Sequence, residues 1–218
     1  MGLVMIASLI VQTMLQSRFK KYSHVDSPHL MTGADVARLM LEQNGITDVT
    51  VGCIPGALTD HYDPSRKIIN LSESVYGQAN IAACAVAAHE TGHAIQHSKG
   101  YAPLKLRTSL VPVVTFANNT VQWVLLAGCI LINIIGPSVL YLGIALFGAT
   151  VLFSFITLPV EIDASQRAVQ WLDSAGIVNG VTKPMAKDAL KWAAYTYIIG
   201  AIGSLATLLY YISIATRR

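Results

Sequence analysis

Charge is scarce in this chain. Only 12% of its 218 residues are Asp, Glu, Lys or Arg, about half of the roughly 25% found in ordinary soluble domains. The scarcity is local. Residues 1–17, 108–160 and 192–216 carry no charge at all, and the 27 formal charges sit on the other 123 residues at a density close to that of a soluble domain. Such a chain is a polar domain embedded among membrane spans. Cysteine is equally sparse: Cys53, Cys84 and Cys129 are odd in number, widely spaced and free of any C-x-x-C. That excludes a disulfide framework and a thiolate zinc knuckle, and it suits reduced thiols in a cytosol-facing protein. A net charge of +3, thinly spread, offers no basic recognition face, so nucleic acid is excluded as a partner. The neutral runs also lack the intramembrane acids and bases that mark ion or proton pathways, which argues against a transporter or channel.

The neutral runs are long enough to cross a bilayer, which takes about 20 apolar residues per helix. The 53-residue run 108–160 is divided by the turn signal Asn-Ile-Ile-Gly-Pro at 133–137 into spans near 116–135 and 138–158. A further span runs from about Ala193 to Ile214, and residues 1–17 read as an N-terminal anchor. Its basic residues Arg18, Lys20 and Lys21 follow the apolar run, whereas a cleaved signal peptide carries them ahead of it. In a four-span reading, residues 18–107 and 161–191 share one side and hold 13 of the 15 Lys and Arg, with Arg217 and Arg218 on the other. The positive-inside rule then sets both polar segments in the cytoplasm. The predicted fold class is mainly α, an integral membrane protein with about four transmembrane helices and a small α+β cytoplasmic domain. Its segments are the anchor 1–17, the domain 18–107, the two-span hairpin 108–160, a cytoplasmic helical segment 161–191 and a C-terminal span 192–218.

Within the polar domain, Thr32 as N-cap and Gly45 as left-handed stop bound a short amphipathic helix over 33–44. Residues 46–52 and 66–72 read as strands, separated by a turn-rich stretch at 55–64. A long alanine-rich helix then runs from about Gln78 to Ser98 and stops at Gly100.

That helix holds the chemistry, because it contains H-E-x-x-H as His89-Glu90-Thr91-Gly92-His93. Histidines four residues apart project from one helical face, about 6 Å apart along the axis, so both imidazoles can reach one zinc ion. Glu90, beside the first histidine, is placed to act as general base toward a water in an open fourth position. Gly92 costs about 1 kcal/mol relative to alanine inside a helix, which points to a close approach by another element. The alternative is a helix whose histidines are merely surface or satisfied core residues, with no metal.

A catalytic zinc takes three protein ligands. His97 continues the four-residue series but lies about 12 Å along the axis from His89, too far to share the ion. The first carboxylate after the long neutral run is Glu161, in Leu158-Pro159-Val160-Glu161-Ile162-Asp163-Ala164-Ser165. Two spans separate it from the motif helix, so both lie on one face of the membrane. Glu161 is therefore the third-ligand candidate, and Asp163 the candidate for orienting a histidine from behind. Both carboxylates could instead simply begin a helix as favourable N-terminal charges.

At this point the sequence resembles the YugP-like neutral zinc metallopeptidases, bacterial membrane proteins. The likeness covers nearly the whole chain: the anchor and K-K-Y at 20–22, T-G-A-D-V-A-R at 32–38, L-T-D-H-Y-D-P at 58–64, H-E-T-G-H-A-I-Q-H at 89–97, G-Y-A-P-L-K-L-R at 100–107, and L-P-V-E-I-D-A-S at 158–165. The resemblance implies a zincin-like domain with one Zn2+ held by His89, His93 and Glu161, and Glu90 as catalytic base. It also implies a multi-pass protein of the bacterial cell membrane. The layout is similar to the HtpX-like and CAAX prenyl proteases, which often carry an acid four residues after the ligand glutamate. Here that place is Ser165, and Asp163 is the substitute expected.

The expected function is a membrane-embedded zinc metalloendopeptidase that hydrolyses membrane-associated or unfolded proteins, its active site facing the cytoplasm. Its partners are a protein or peptide substrate and the lipid bilayer; no regulator or homo-oligomer is specified. Zincins hold substrate backbone along a strand before the motif helix, which makes 66–72 a candidate for strand addition. His61, Tyr62, Tyr76 and Arg167 are unranked candidates for stabilising an oxyanion or holding substrate. A non-proteolytic membrane adaptor with a structural zinc site is the competing reading, and Glu90 would be superfluous in it.

Overall fold

The computed structural model describes residues 2–216, apart from the side chains of Asn133 and Ile135. Arg217 and Arg218, which enter the orientation count, lie outside the described residues. The elements in order are α1 (Gly2–Tyr22), α2 (Gly33–Gln43), β1 (Thr50–Ile54), β2 (His61–Asp63), β3 (Ile68–Ser72), α3 (Glu73–Tyr76), α4 (Ile81–Ser98), α5 (Ala102–Ile135), α6 (Ser138–Ser174) and α7 (Lys183–Thr216). Helices α1, α5, α6 and α7 are long and apolar enough to cross a membrane.

The last two helices are longer than a bilayer needs. At 1.5 Å per residue, the 37 residues of α6 and the 34 of α7 span about 50–55 Å against a hydrocarbon thickness of about 30 Å. The surplus is the polar part of each helix, and it packs against α4. Helix α6 runs unbroken through Pro159, so Glu161 and Asp163 do not begin a helix, and the reading of them as N-terminal charges is overturned. Helix α5 folds back along α6 after Gly136, with Gly128 against Leu140 and Gly143 against Leu125. These glycines let the two backbones approach closely, as small residues do between membrane helices. Helix α1 lies along α7, and Tyr22 Oη donates to Asp188 Oδ2 at 2.7 Å while Arg18 Nε sits 3.3 Å from the same oxygen.

The polar domain is built around α4. Six of its alanines are buried with Ile81, Cys84 and Ile95, and their small size lets α2, the sheet, α6 and α7 approach its backbone from several sides. Helix α2 brings Val36, Ala37, Met40 and Leu41 to this core, α6 brings Ala168 and Leu172, and α7 brings Ala186, Ala189 and Leu190. Local signals fix the helix starts. Thr32 and Asp35 form a reciprocal capping box on α2, and the Asn80 side chain accepts from Ala83 N on α4. Gly45 takes φ +68° where the chain leaves α2.

The sheet has the order β1-β3-β2, with β1 parallel and β2 antiparallel to β3. Two expectations change here. The segment at 60–63 is not only a turn: residues 61–63 form β2. And β3, the strand expected to take up substrate, is central and hydrogen-bonded on both sides, so it has no free edge to offer. The edge strand next to it is β2.

Candidate metal centre

Helix α4 presents His89 and His93 on one face, and α6 crosses that face with Glu161. The crossing is close because of Gly92: a Cβ built there would lie 2.9 Å from the Ala164 carbonyl oxygen and 3.2 Å from Ala164 Cα. Any larger residue would push α6, and Glu161 with it, away from the histidines.

Glu161 Oε2 lies 3.3 Å from His89 Nε2 and 3.7 Å from His93 Nε2. The imidazole rings meet edge to face with centroids 4.8 Å apart, and the three ligand atoms all fall within 4.8 Å of one another. Donors about 2.0–2.1 Å from a tetrahedral zinc stand about 3.3 Å apart, so the spacing fits a metal. A second observation agrees: Glu161 is 2% exposed, and its Oε2 is buried without a hydrogen-bond partner. A buried, unpaired carboxylate oxygen is costly unless something positive meets it.

The hydrogen bonds behind the histidines favour metal binding at Nε2. Gln96 Nε2 donates to the Val160 carbonyl at 2.8 Å and to Asp163 Oδ2 at 2.7 Å. Both partners are acceptors, so the amide nitrogen must face them and Oε1 must face His93 Nδ1, 3.0 Å away. His93 therefore carries its proton on Nδ1 and turns the Nε2 lone pair toward Glu161. His89 Nδ1 meets Ser165 Oγ at 3.1 Å. Ser165 thus takes the position behind a histidine that had been expected of Asp163, while Asp163 acts one step further back, through Gln96 on His93. Arg167 holds Asp163 in place, with Nε 2.6 Å from Oδ2. Without a metal, burial opposes a charged His93, but hydrogen bonding to Glu161 and the Glu90 and Glu161 carboxylates outweigh it and raise its pKa.

The centre opens into a cleft of about 500 Å³, into which Glu90 also faces. One wall comes from β2 and its flanks (Asp60, His61, Tyr62, Ser65), and the other from α5 (Leu104, Arg107, Thr108, Val111) and α7 (Tyr197). The candidates for oxyanion stabilisation sort themselves against this geometry. His61 lines the cleft, but its Nδ1 donates to the Thr59 carbonyl at 2.8 Å and its Nε2 accepts from Asn70 Nδ2 at 3.1 Å, leaving no free donor. Tyr62 lines it too, with its hydroxyl paired to His97 Nδ1 at 2.8 Å. Tyr76 and Arg167 do not line the cleft: Tyr76 pairs with Arg38, and Arg167 lies between Asp163 and the Tyr101 ring.

Two residues that sequence reasoning missed take their place. Arg107 Nη1 is 3.9 Å from Glu161 Oε1, and Tyr197 sits in the fields of Glu161 and Glu90. Arg107 carried a signal, as the last charge before the long neutral run. Tyr197 carried none, because it lies inside an apolar span.

The comparisons with known proteins agree with this geometry. The sequence profile of a family described as "Putative neutral zinc metallopeptidase" matches residues 1–216. The chain is 44% identical over 209 residues to "Putative membrane protease YugP" of Bacillus subtilis (strain 168), covering 95% of this chain and 91% of that protein. No solved structure matches. The His89, His93 and Glu161 cluster can hold a metal ion, the family's metal is zinc, and the chain belongs to this family of neutral zinc metallopeptidases.

Proposed function

We propose that the protein is a membrane-embedded zinc metalloendopeptidase that cleaves membrane-associated or unfolded polypeptides at the cytoplasmic surface of the bacterial cell membrane. The observation that carries this reading is the convergence of His89, His93 and Glu161 at the floor of an open cleft with Glu90 beside them. A structural zinc needs no cleft and is closed by its ligands, so the adaptor reading is disfavoured.

His89, His93 and Glu161 hold the ion, which when bound activates a water and polarises the substrate carbonyl. Glu90 takes the proton from that water and delivers it to the leaving amine. Tyr197 and Arg107 face the same space and supply donors where negative charge develops on the carbonyl oxygen. The edge strand β2 borders the cleft and offers unpaired backbone groups, along which an extended substrate can add as a further strand.

The test is purification in detergent, followed by metal analysis and hydrolysis of casein or a quenched fluorescent peptide. Glu90→Gln is expected to keep one zinc and lose about 10²–10⁴-fold in kcat. His93→Ala and Glu161→Ala are expected to lose the metal as well. Equal hydrolysis by wild type and Glu90→Gln would refute the mechanism, and full zinc content in Glu161→Ala would move the third ligand elsewhere.

A further inference from the structure

The α5 residues that line the cleft do not end there as a pattern. Leu104, Thr108 and Val111 recur at alternating steps of four and three, and the same steps lead on to Thr115, Asn118 and Gln122, with Asn119 alongside. Residues so spaced share one helical face. That face is distinct from the one carrying Val114, Ala117, Val121 and Leu125, which are buried. Thr115, Asn118, Asn119 and Gln122 are all exposed.

Their depth follows from the hairpin register. Arg107 lies beside Glu161 and Gly143 against Leu125, so Asn118 stands level with about Thr150. At 1.5 Å per residue that is about 18 Å from Ser138 and about 16 Å from Glu161, near the middle of the hydrocarbon. Thr115 satisfies its hydroxyl on the Val111 carbonyl at 2.8 Å. Among the described residues, Asn118, Asn119 and Gln122 have no side-chain partner. Three unpaired carboxamides facing acyl chains are costly, because lipid offers neither donor nor acceptor.

We propose that this face is the docking site for the transmembrane helix of the substrate, held by hydrogen bonds from Asn118, Asn119 and Gln122 to a Ser, Thr, Asn or Gln in that helix. The proposal rests on the peptidase reading and names its substrate class as proteins with a membrane span. Two features select this occupant. The face is continuous with the cleft wall, so a helix lying along it delivers its cytoplasmic end to Glu90. A second copy of this chain packed on the same face would lie across the mouth of the cleft. The carboxamides are neutral, so the face calls for a polar residue in the incoming helix and not a charge.

The experiment uses the full chain in phosphatidylcholine/phosphatidylglycerol vesicles with a synthetic Leu/Ala single-span peptide. The peptide bears one central Asn and a fluorogenic juxtamembrane segment, and its partner has Leu in place of Asn. With Glu90→Gln preventing turnover, a Leu126→benzoylphenylalanine photoprobe one turn beyond Gln122 is expected to capture the Asn peptide several-fold over the Leu peptide. That preference should vanish in Asn118→Leu/Asn119→Leu/Gln122→Leu. In the active protein, the same triple change should lower hydrolysis of the single-span Asn peptide, relative to a soluble peptide, about tenfold, as loss of about 1–2 kcal/mol of interhelical hydrogen bonding implies. Equal capture of both peptides would overturn the docking site, and adducts formed only between two copies of the chain would assign the face to self-association. Asn-dependent capture with hydrolysis of neither peptide would leave the binding face standing and sink the peptidase reading.

Discussion

A proton and its position decide the chemistry at the scale of single residues. Gln96 is fully buried, and its amide can point only one way, since Val160 and Asp163 both need its hydrogens. His93 is thereby held as the tautomer that binds metal through Nε2. Gln96→Leu is expected to weaken zinc binding about 10–100-fold, read by competition against a fluorescent chelator, with helical content preserved; unchanged affinity would show that the tautomer is set elsewhere. The H-E-x-x-H pair was legible in the sequence because a helix makes four-residue spacing a local matter. Gln96 and Ser165 were not, since a side chain's partner across two helices leaves no trace in spacing. Ser165 shows the point well: its hydroxyl supports His89 although the sequence offered only a missing acid.

Between elements, the decisive distance is the approach of α4 to α6. Gly92 allows it, and the obstruction to a methyl there is the Ala164 backbone, which no rotamer change can relieve. Gly92→Ala is expected to separate the helices, displace Glu161 and cost about 10²-fold in activity, the scale for a misplacement of about 1 Å. Zinc affinity and peptide hydrolysis should fall together while circular dichroism stays helical; normal zinc binding in this variant would count against the close approach. The sequence marked Gly92 as a place of contact without saying with what. It also misread the strands, because residues 60–63 carry turn formers and β2 exists only through pairing with β3. Strand propensity is weak where partner strands supply the stabilisation.

On the scale of the whole molecule, the question is which side of the membrane the cleft faces, and the native cysteines can answer it. Cys53 is exposed on β1 and Cys84 is buried in α4. Burial pushes the Cys84 thiol up to about 11, so at pH 8 it is both shielded and protonated, and only the thiolate reacts. Cys129 lies on α5 beyond Gln122, within the lipid-covered span. A membrane-impermeant maleimide at pH 8 is therefore expected to label one equivalent, at Cys53, in inside-out vesicles and none in intact cells. Labelling from outside in intact cells would reverse the proposed topology. A second equivalent appearing without denaturation would show that Cys84 is accessible.

The sequence by itself determined the division of the chain into neutral runs and a polar remainder, the histidine pair on one helix and the return of a carboxylate to the same membrane face. Each follows from composition or from the repeat of a single helix, and both are properties of neighbouring residues. Tertiary structure decided what joins them. It ran α6 straight through Pro159, set β3 at the centre of its sheet, and brought Arg107 and Tyr197 to the cleft. It also turned Asn118, Asn119 and Gln122 outward at mid-membrane depth. Those outcomes depend on which face of each long helix packs against its neighbour, a matter settled by close contacts such as those at Gly92, Gly128 and Gly143 and by nothing local to the chain.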